Sequence, residues 1–299
     1  MSPVFSVQCV LAVSVGLCDA QGMREEADPA SWFEPWWSEY VRIAPSAGRI
    51  RSLLGPRGGL LGMDHVAIRT FDTEELSLHR LVPTLLRAGY SETGKYVFEQ
   101  KHLRAKSFSH QSAALPRIFI SELEVDALSA AAREVVMRCG ARQTYGATDL
   151  LWNSQAEWIR LNSSEYKSLL EESEYAAWVG AFGLRANHFT IGFNQLSGFE
   201  SLEEINHHLD TRGYLMNGGK QSVKGSKQQL LEQSSTVAEL VDWQFSDGVV
   251  REVRSCYVEF ARRYRDATGR HFDGFVTSHA DQIFESTDMN RTRNGDADR

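Results

Sequence analysis

Two histidines and one glutamate lie inside apolar, β-favouring runs, where side chains of these types can build a metal centre. His65 sits in Met63-Asp64-His65-Val66-Ala67-Ile68-Arg69-Thr70-Phe71, His188 in Asn187-His188-Phe189-Thr190-Ile191, and Glu259 in Cys256-Tyr257-Val258-Glu259-Phe260-Ala261. Alternate residues of a strand share a face. His65 therefore points with Ala67 and Arg69, His188 with Thr190, and Glu259 with Tyr257 and Ala261. A carboxylate within such a run is costly unless it is paired or bound to a metal. Two imidazoles and one carboxylate on one side of a metal leave positions open for a substrate and O2, which is the non-haem Fe(II) arrangement. Arg69 adds a planar fork suited to a carboxylate. Spacing alone leaves hydrogen-bonded core histidines as a competing reading, and it names neither the metal nor the reaction.

The elements that must position these residues repeat. Asp64-His65-Val66-Ala67-Ile68 matches Asn187-His188-Phe189-Thr190-Ile191 in pattern, and each copy runs on into a helix and then a Gly-Tyr pair, Gly89-Tyr90 or Gly213-Tyr214. The glycine follows its histidine by 24 residues in one copy and 25 in the other. The pattern predicts a duplicated α/β module, each copy opening on a His-bearing strand. Packed with pseudo-symmetry, the two would bring both histidines and Glu259 to one cavity. The modules are expected over about 60–150 and 183–288, in one catalytic domain spanning 23–288.

Periodicity gives the remaining elements. Helices are expected over 31–54 with a break at Pro45 and Ser31 as cap, over 75–88, 126–139 and 200–212, and in parts of 155–182. Strands are expected at 63–71, 96–98, 117–120, 185–193, 236–246 and 250–262. His102 and His110 fall in a stretch that reads as loop. These two, with His79, His207, His208, His271 and His279, are read as solvated or structural, His279 being held in reserve. Gly218-Gly219 and Gly225-Ser226 are weak phosphate-loop candidates, since no G-x-x-x-x-G-K-[ST] pattern is present.

Composition excludes several classes. The chain has 299 residues, 42% of them hydrophobic and 24% charged, so it is globular rather than low-complexity. Its net charge of -7 argues against a nucleic-acid partner. No run of about 20 apolar residues is present, so no membrane-spanning helix is expected. The four cysteines at 9, 18, 139 and 256 form no C-x-x-C pair, which points to a reducing compartment, the cytoplasm by default. Residues 1–22 form a leader that is apolar from Pro3 to Leu17 but lacks the positive n-region of a secretory signal. It is expected to be unstructured, with organellar or exported targeting as the alternative. Residues 289–299 read as a polar tail.

With these segments in place the chain resembles the 2-oxoadipate dioxygenase/decarboxylase family, in its shorter form. The resemblance is carried by the His65, His188 and Glu259 runs together with Phe119-Ile120-Ser121-Glu122-Leu123, Leu231-Glu232-Gln233-Ser234-Ser235-Thr236 and Ile283-Phe284-Glu285-Ser286-Thr287. It covers residues from about 30 to 288. The fold it implies is α+β, with paired βαβββ modules of the vicinal-oxygen-chelate kind, a shared metal-binding cavity and added helices. It implies His65, His188 and Glu259 as ligands of Fe(II), and Arg69 as the catalytic and substrate-binding arginine. Gln233 and Ser235 are further substrate-binding candidates, and Gln233 is also placed to orient a ligand. Glu285 is the rival carboxylate; Glu259 is preferred because it sits inside an alternating strand, whereas Glu285 leads into a polar segment. The implied reaction takes a 2-oxo dicarboxylic acid and O2 to a 2-hydroxy acid and CO2. With 2-oxoadipate the product is 2-hydroxyglutarate, a step of lysine breakdown. The alternative is a non-redox metal-dependent isomerase or lyase of the same superfold.

Overall fold

The computed structural model describes residues 28–55, 62–140, 158–219, 222–277 and 285–287. The expectations for residues 1–22, for 289–299 and for His279 lie outside the described residues, and so does the side chain of Glu285.

Two helices open the described chain, α1 (Ala30–Ile43) and α2 (Pro45–Leu53). Pro45 begins the second helix, where its missing N–H costs nothing. Ser31 is not the cap that was expected. It lies inside α1, and the Asp28 carboxylate accepts from the Ala30 N–H at 3.0 Å instead. The apolar stripe of α1 buries Trp32, Phe33, Trp36, Tyr40 and Ile43.

The first module runs β1 (Met63–Phe71), α3 (Leu78–Arg87), β2 (Tyr90–Phe98), β3 (Leu103–His110) and β4 (Arg117–Leu123), a complete βαβββ unit. Helices α4 (Ala130–Gly140), α5 (Ser163–Glu172) and α6 (Glu174–Phe182) follow. The second module runs β5 (Arg185–Gly192), α7 (Leu202–Asp210), β6 (Lys224–Ser226), β7 (Leu231–Ser235) and, after an inserted hairpin, β10 (Tyr257–Arg263). The hairpin is β8 (Leu240–Gln244) with β9 (Val250–Arg254).

The ten strands make one eight-stranded sheet, ordered β2-β3-β4-β1-β5-β10-β7-β6, and the separate hairpin. Each half repeats one pattern. The first strand is parallel to the last (β1 with β4, β5 with β10), and the last is antiparallel to the one before it. The halves join through antiparallel pairing of β1 and β5. The duplication read from the two His-bearing motifs is therefore present in the backbone. Strands β1 and β5 lie at the centre, covered on both faces, and every residue of β1 is buried.

Three strand expectations need correction. Residues 103–110 are strand β3, not loop; Arg104 and Lys106 alternate with buried Leu103, Ala105 and Ser107, so charge on the solvated face masked the period. Of the run expected at 236–246 only β8 (Leu240–Gln244) is strand; the preceding strand β7 ends earlier, at Ser235. The run expected at 250–262 is broken by Ser255-Cys256, where the chain leaves the hairpin and enters the main sheet. Among the described residues no helix is long and apolar enough to cross a membrane.

Candidate metal centre

The central strands bring the three predicted ligands together through register. His65 on β1 faces Thr190 on β5, which faces Glu259 on β10, which faces Ser235 on β7. The adjacent row places Ala67, His188 and Tyr257 side by side. Chain segments 123 and 71 residues apart are thereby joined at one point. One carboxylate oxygen of Glu259 lies 3.5 Å from His65 Nε2 and the other 3.2 Å from His188 Nε2. One donor atom from each residue falls within 4.8 Å of the others. All three side chains are buried, Glu259 to 1% exposure.

The electrostatics of this cluster suit a cation. Burial lowers the pKa of His65, although the Asp64 carboxylate beside it works the other way. Burial also lowers His188 well below the ordinary value, with the charges of His65 and Arg69 adding to it. Both rings are thus held neutral, the form that ligates a metal. Burial pushes the Glu259 carboxyl up to about 8, against a hydrogen bond from Gln233 that favours its ionised form. An anion wedged between imidazole lone pairs, away from water, is unfavourable until a positive charge joins it. Two nitrogens and one oxygen on one side of the site are the donors a divalent transition metal takes while keeping positions open.

Surrounding groups fix the orientation of His65 and Glu259. Asp64 is an acceptor only, so the His65 Nδ1–H donates to it at 2.8 Å, which leaves the Nε2 lone pair turned to the cluster and able to ligate a metal. Arg263 donates to both Asp64 oxygens, at 2.7 and 2.9 Å. Burial works to raise the Asp64 pKa, but Arg263 and His65 outweigh it and hold the carboxyl well below the usual carboxylate range. Thr190 Oγ1 lies 3.0 Å from His65 Nε2. Gln233 Nε2 donates to Glu259 at 2.6 Å, while its Oε1 has no partner among the described residues. Phe275 forms an apolar wall, its ring 4.8 Å from that of His65 and 5.0 Å from that of Phe119.

The other predicted residues fall around this cluster. Arg69 lies on the His65 face of β1, 2% exposed. Its Nη1 is 3.3 Å from Glu174, its Nη2 donates to Thr287 at 3.1 Å, and its guanidinium lies over the rings of Tyr175 and Trp178. A cavity of about 460 Å³ opens beside it, lined also by Lys101, His102, Leu123, Leu128 and Tyr175. Ser235 flanks Glu259, and its hydroxyl is engaged by Ser286 at 2.8 Å. Gly225 and Ser226 belong to strand β6 and form no phosphate loop.

The sequence reading missed Asp64, Thr190 as a partner of His65, Arg263 and Phe275. Arg263 had a signal, since it continues the face of Glu259 and Ala261 along β10. Asp64 had none, because alternation sends neighbouring residues to opposite faces. Its contact with His65 arises where the β1–β5 register shifts, between Met63 and His65.

Comparison with known proteins places the chain in a family. The family model for 2-oxoadipate dioxygenase/decarboxylase matches residues 57–151 and 144–272. A chloroplastic 2-oxoadipate dioxygenase/decarboxylase of Arabidopsis thaliana is 33% identical over 252 residues, which are 75% of this chain and 67% of that protein. The crystal structure of the Oryza sativa hydroxyglutarate synthase in complex with 2-oxoadipate is similar with a TM-score of 0.78 at 29% identity, over 93% of this chain and 98% of that one. A structure from Shewanella frigidimarina NCIMB 400, described as that of a hydrolase, is 40% identical with a TM-score of 0.74, over 84% of this chain and 98% of that one. On the family match and these relatives, the chain belongs to the 2-oxoadipate dioxygenase/decarboxylase family.

Proposed function

We propose that this protein is an Fe(II)-dependent dioxygenase/decarboxylase that converts 2-oxoadipate and O2 to 2-hydroxyglutarate and CO2, as in lysine breakdown. The observation that carries the reading is the buried His65–His188–Glu259 cluster, with Arg69 on the same face of the sheet. His65, His188 and Glu259 hold the iron. Bound there, iron supplies the O2 chemistry and the Lewis acidity that a 2-oxo acid head requires. Asp64 keeps the His65 Nδ1 protonated, and Gln233 steadies the Glu259 carboxylate by donating to it.

Arg69 takes the distal carboxylate of the substrate, which selects dicarboxylic over monocarboxylic 2-oxo acids. The rings of Tyr175 and Trp178 beneath its guanidinium set the plane of that fork. Phe275 and Phe119 keep water from the reacting end. Ser235 lies at the margin of the substrate site, and Glu259 rather than Glu285 is the metal carboxylate. The protein works in the cytoplasm, or in an organelle if residues 1–22 are a targeting segment.

Anaerobic loading with Fe(II), followed by 2-oxoadipate and O2, tests the reading. The expected product by mass spectrometry is 2-hydroxyglutarate, one per CO2 released. A product formed without O2 loss would assign the site to non-redox chemistry.

A further inference from the structure

Tyr257 is a buried polar side chain beside the candidate ligands. It lies on β10 two residues before Glu259, on the same face, and is 2% exposed. Its ring stacks on that of His188, centroids 4.6 Å apart and planes 29° from parallel. Its hydroxyl is buried and has no hydrogen-bond partner among the described residues. Leaving such a donor unpaired costs folding free energy that a phenylalanine would not.

The sheet register says what lies around it. From the row of His65, Thr190 and Glu259, one step of two residues leads to the row of Ala67, His188 and Tyr257. A second step along β1 reaches Arg69. Two residues of strand span about 7 Å, so Tyr257 stands level with His188, at the edge of the cluster nearer Arg69 and one such step from the arginine's row. The Tyr40 hydroxyl of α1 donates to the Tyr257 carbonyl and fixes this stretch of backbone. A ligand that joined the cluster to Arg69 would pass the phenol.

We propose that the Tyr257 hydroxyl is a substrate-positioning donor, making a hydrogen bond to an oxygen of a 2-oxo dicarboxylate held between the metal cluster and Arg69. This rests on the substrate reading given above. The role is separable from packing, because the stacking on His188 uses the ring and the proposal uses only the oxygen.

The test is Tyr257→Phe, compared with the wild type in three measurements made without turnover. Each protein is loaded anaerobically with Fe(II), its metal content is measured, and its affinity for 2-oxoadipate is determined by calorimetry. The thermal midpoint of the metal-free protein is measured alongside. The expected result is metal content unchanged, a midpoint equal or higher, and a Kd for 2-oxoadipate raised about 10-fold. Affinity lost with no loss of stability is what a purely structural tyrosine would not give. Equal affinity in the two proteins, or affinity and stability falling together, would overturn the proposal. Wild-type protein that holds iron but binds no 2-oxoadipate would overturn the substrate reading beneath it, an outcome visible before the variant is made.

Discussion

At Glu259 a buried carboxyl, pushed up to about 8 by desolvation, faces two neutral imidazoles, and its place in the fold is explained by the cation it would share with them. His65→Ala or His188→Ala is therefore expected to abolish stable iron binding and turnover; full iron content in both variants would contradict the ligand assignment. Arg69→Ala is expected to keep the iron and to raise KM for 2-oxoadipate at least 10-fold, the scale of one lost charge-assisted pair, about 1.5–3 kcal/mol. KM for a monocarboxylic 2-oxo acid should change little, and steady-state kinetics on both substrates checks this. Asp64→Asn removes an acceptor from His65 and strands the Arg263 charge. It should weaken metal affinity about 10–100-fold and cost about 3–5 kcal/mol of stability. Folding lowers the Asp64 pKa, so the wild type holds this stability above the unfolded value of about 3.9 and loses it as pH falls below that. Denaturant melts of wild type and variant should differ by a constant amount from about pH 5 to 8 and converge in stronger acid. At this scale the cluster was legible, since a histidine or glutamate in an apolar strand needs a reason. The supporting Asp64 was not legible, because a register shift has no signature in one strand's sequence.

The elements explain why the site is rigid. Strand β1 pairs on both sides, and β10 lies between β5 and β7, so each candidate ligand sits on an interior strand. Helix α1 fixes β10 through Tyr40 and packs on β5 through Tyr40 and Phe189. Outlying elements should behave differently. Asn162 caps α5, accepting from the Ser164 and Glu165 N–H groups, with Glu165 completing a capping box. Asn162→Ala is expected to lower stability by about 1 kcal/mol in urea melts and to leave KM and kcat unchanged. A change in KM would place α5 in the site. The helices and central strands could be read from their period. Strand β3 could not, because Arg104 and Lys106 occupy its solvated face, and the hairpin boundaries depend on pairing partners distant in sequence.

On the scale of the molecule, two βαβββ halves become one sheet at the β1–β5 seam, and the metal cluster straddles that seam. The matched offsets from each histidine to its Gly-Tyr pair made this duplication legible. The inserted hairpin was not, since it breaks the repeat only in the second half. Because His65 comes from one half and His188 and Glu259 from the other, iron should stabilise both together. Saturation at 100 times Kd is expected to add about 2.7 kcal/mol and raise a single calorimetric transition. Two transitions, with one indifferent to metal, would contradict the shared centre. The most direct test of the central claim is the stoichiometry of O2 uptake when Fe(II)-loaded protein meets 2-oxoadipate. One O2 is expected to be consumed for each CO2 and each 2-hydroxyglutarate formed, and none with His188→Ala. CO2 release without O2 uptake, or undiminished uptake by the variant, would contradict it.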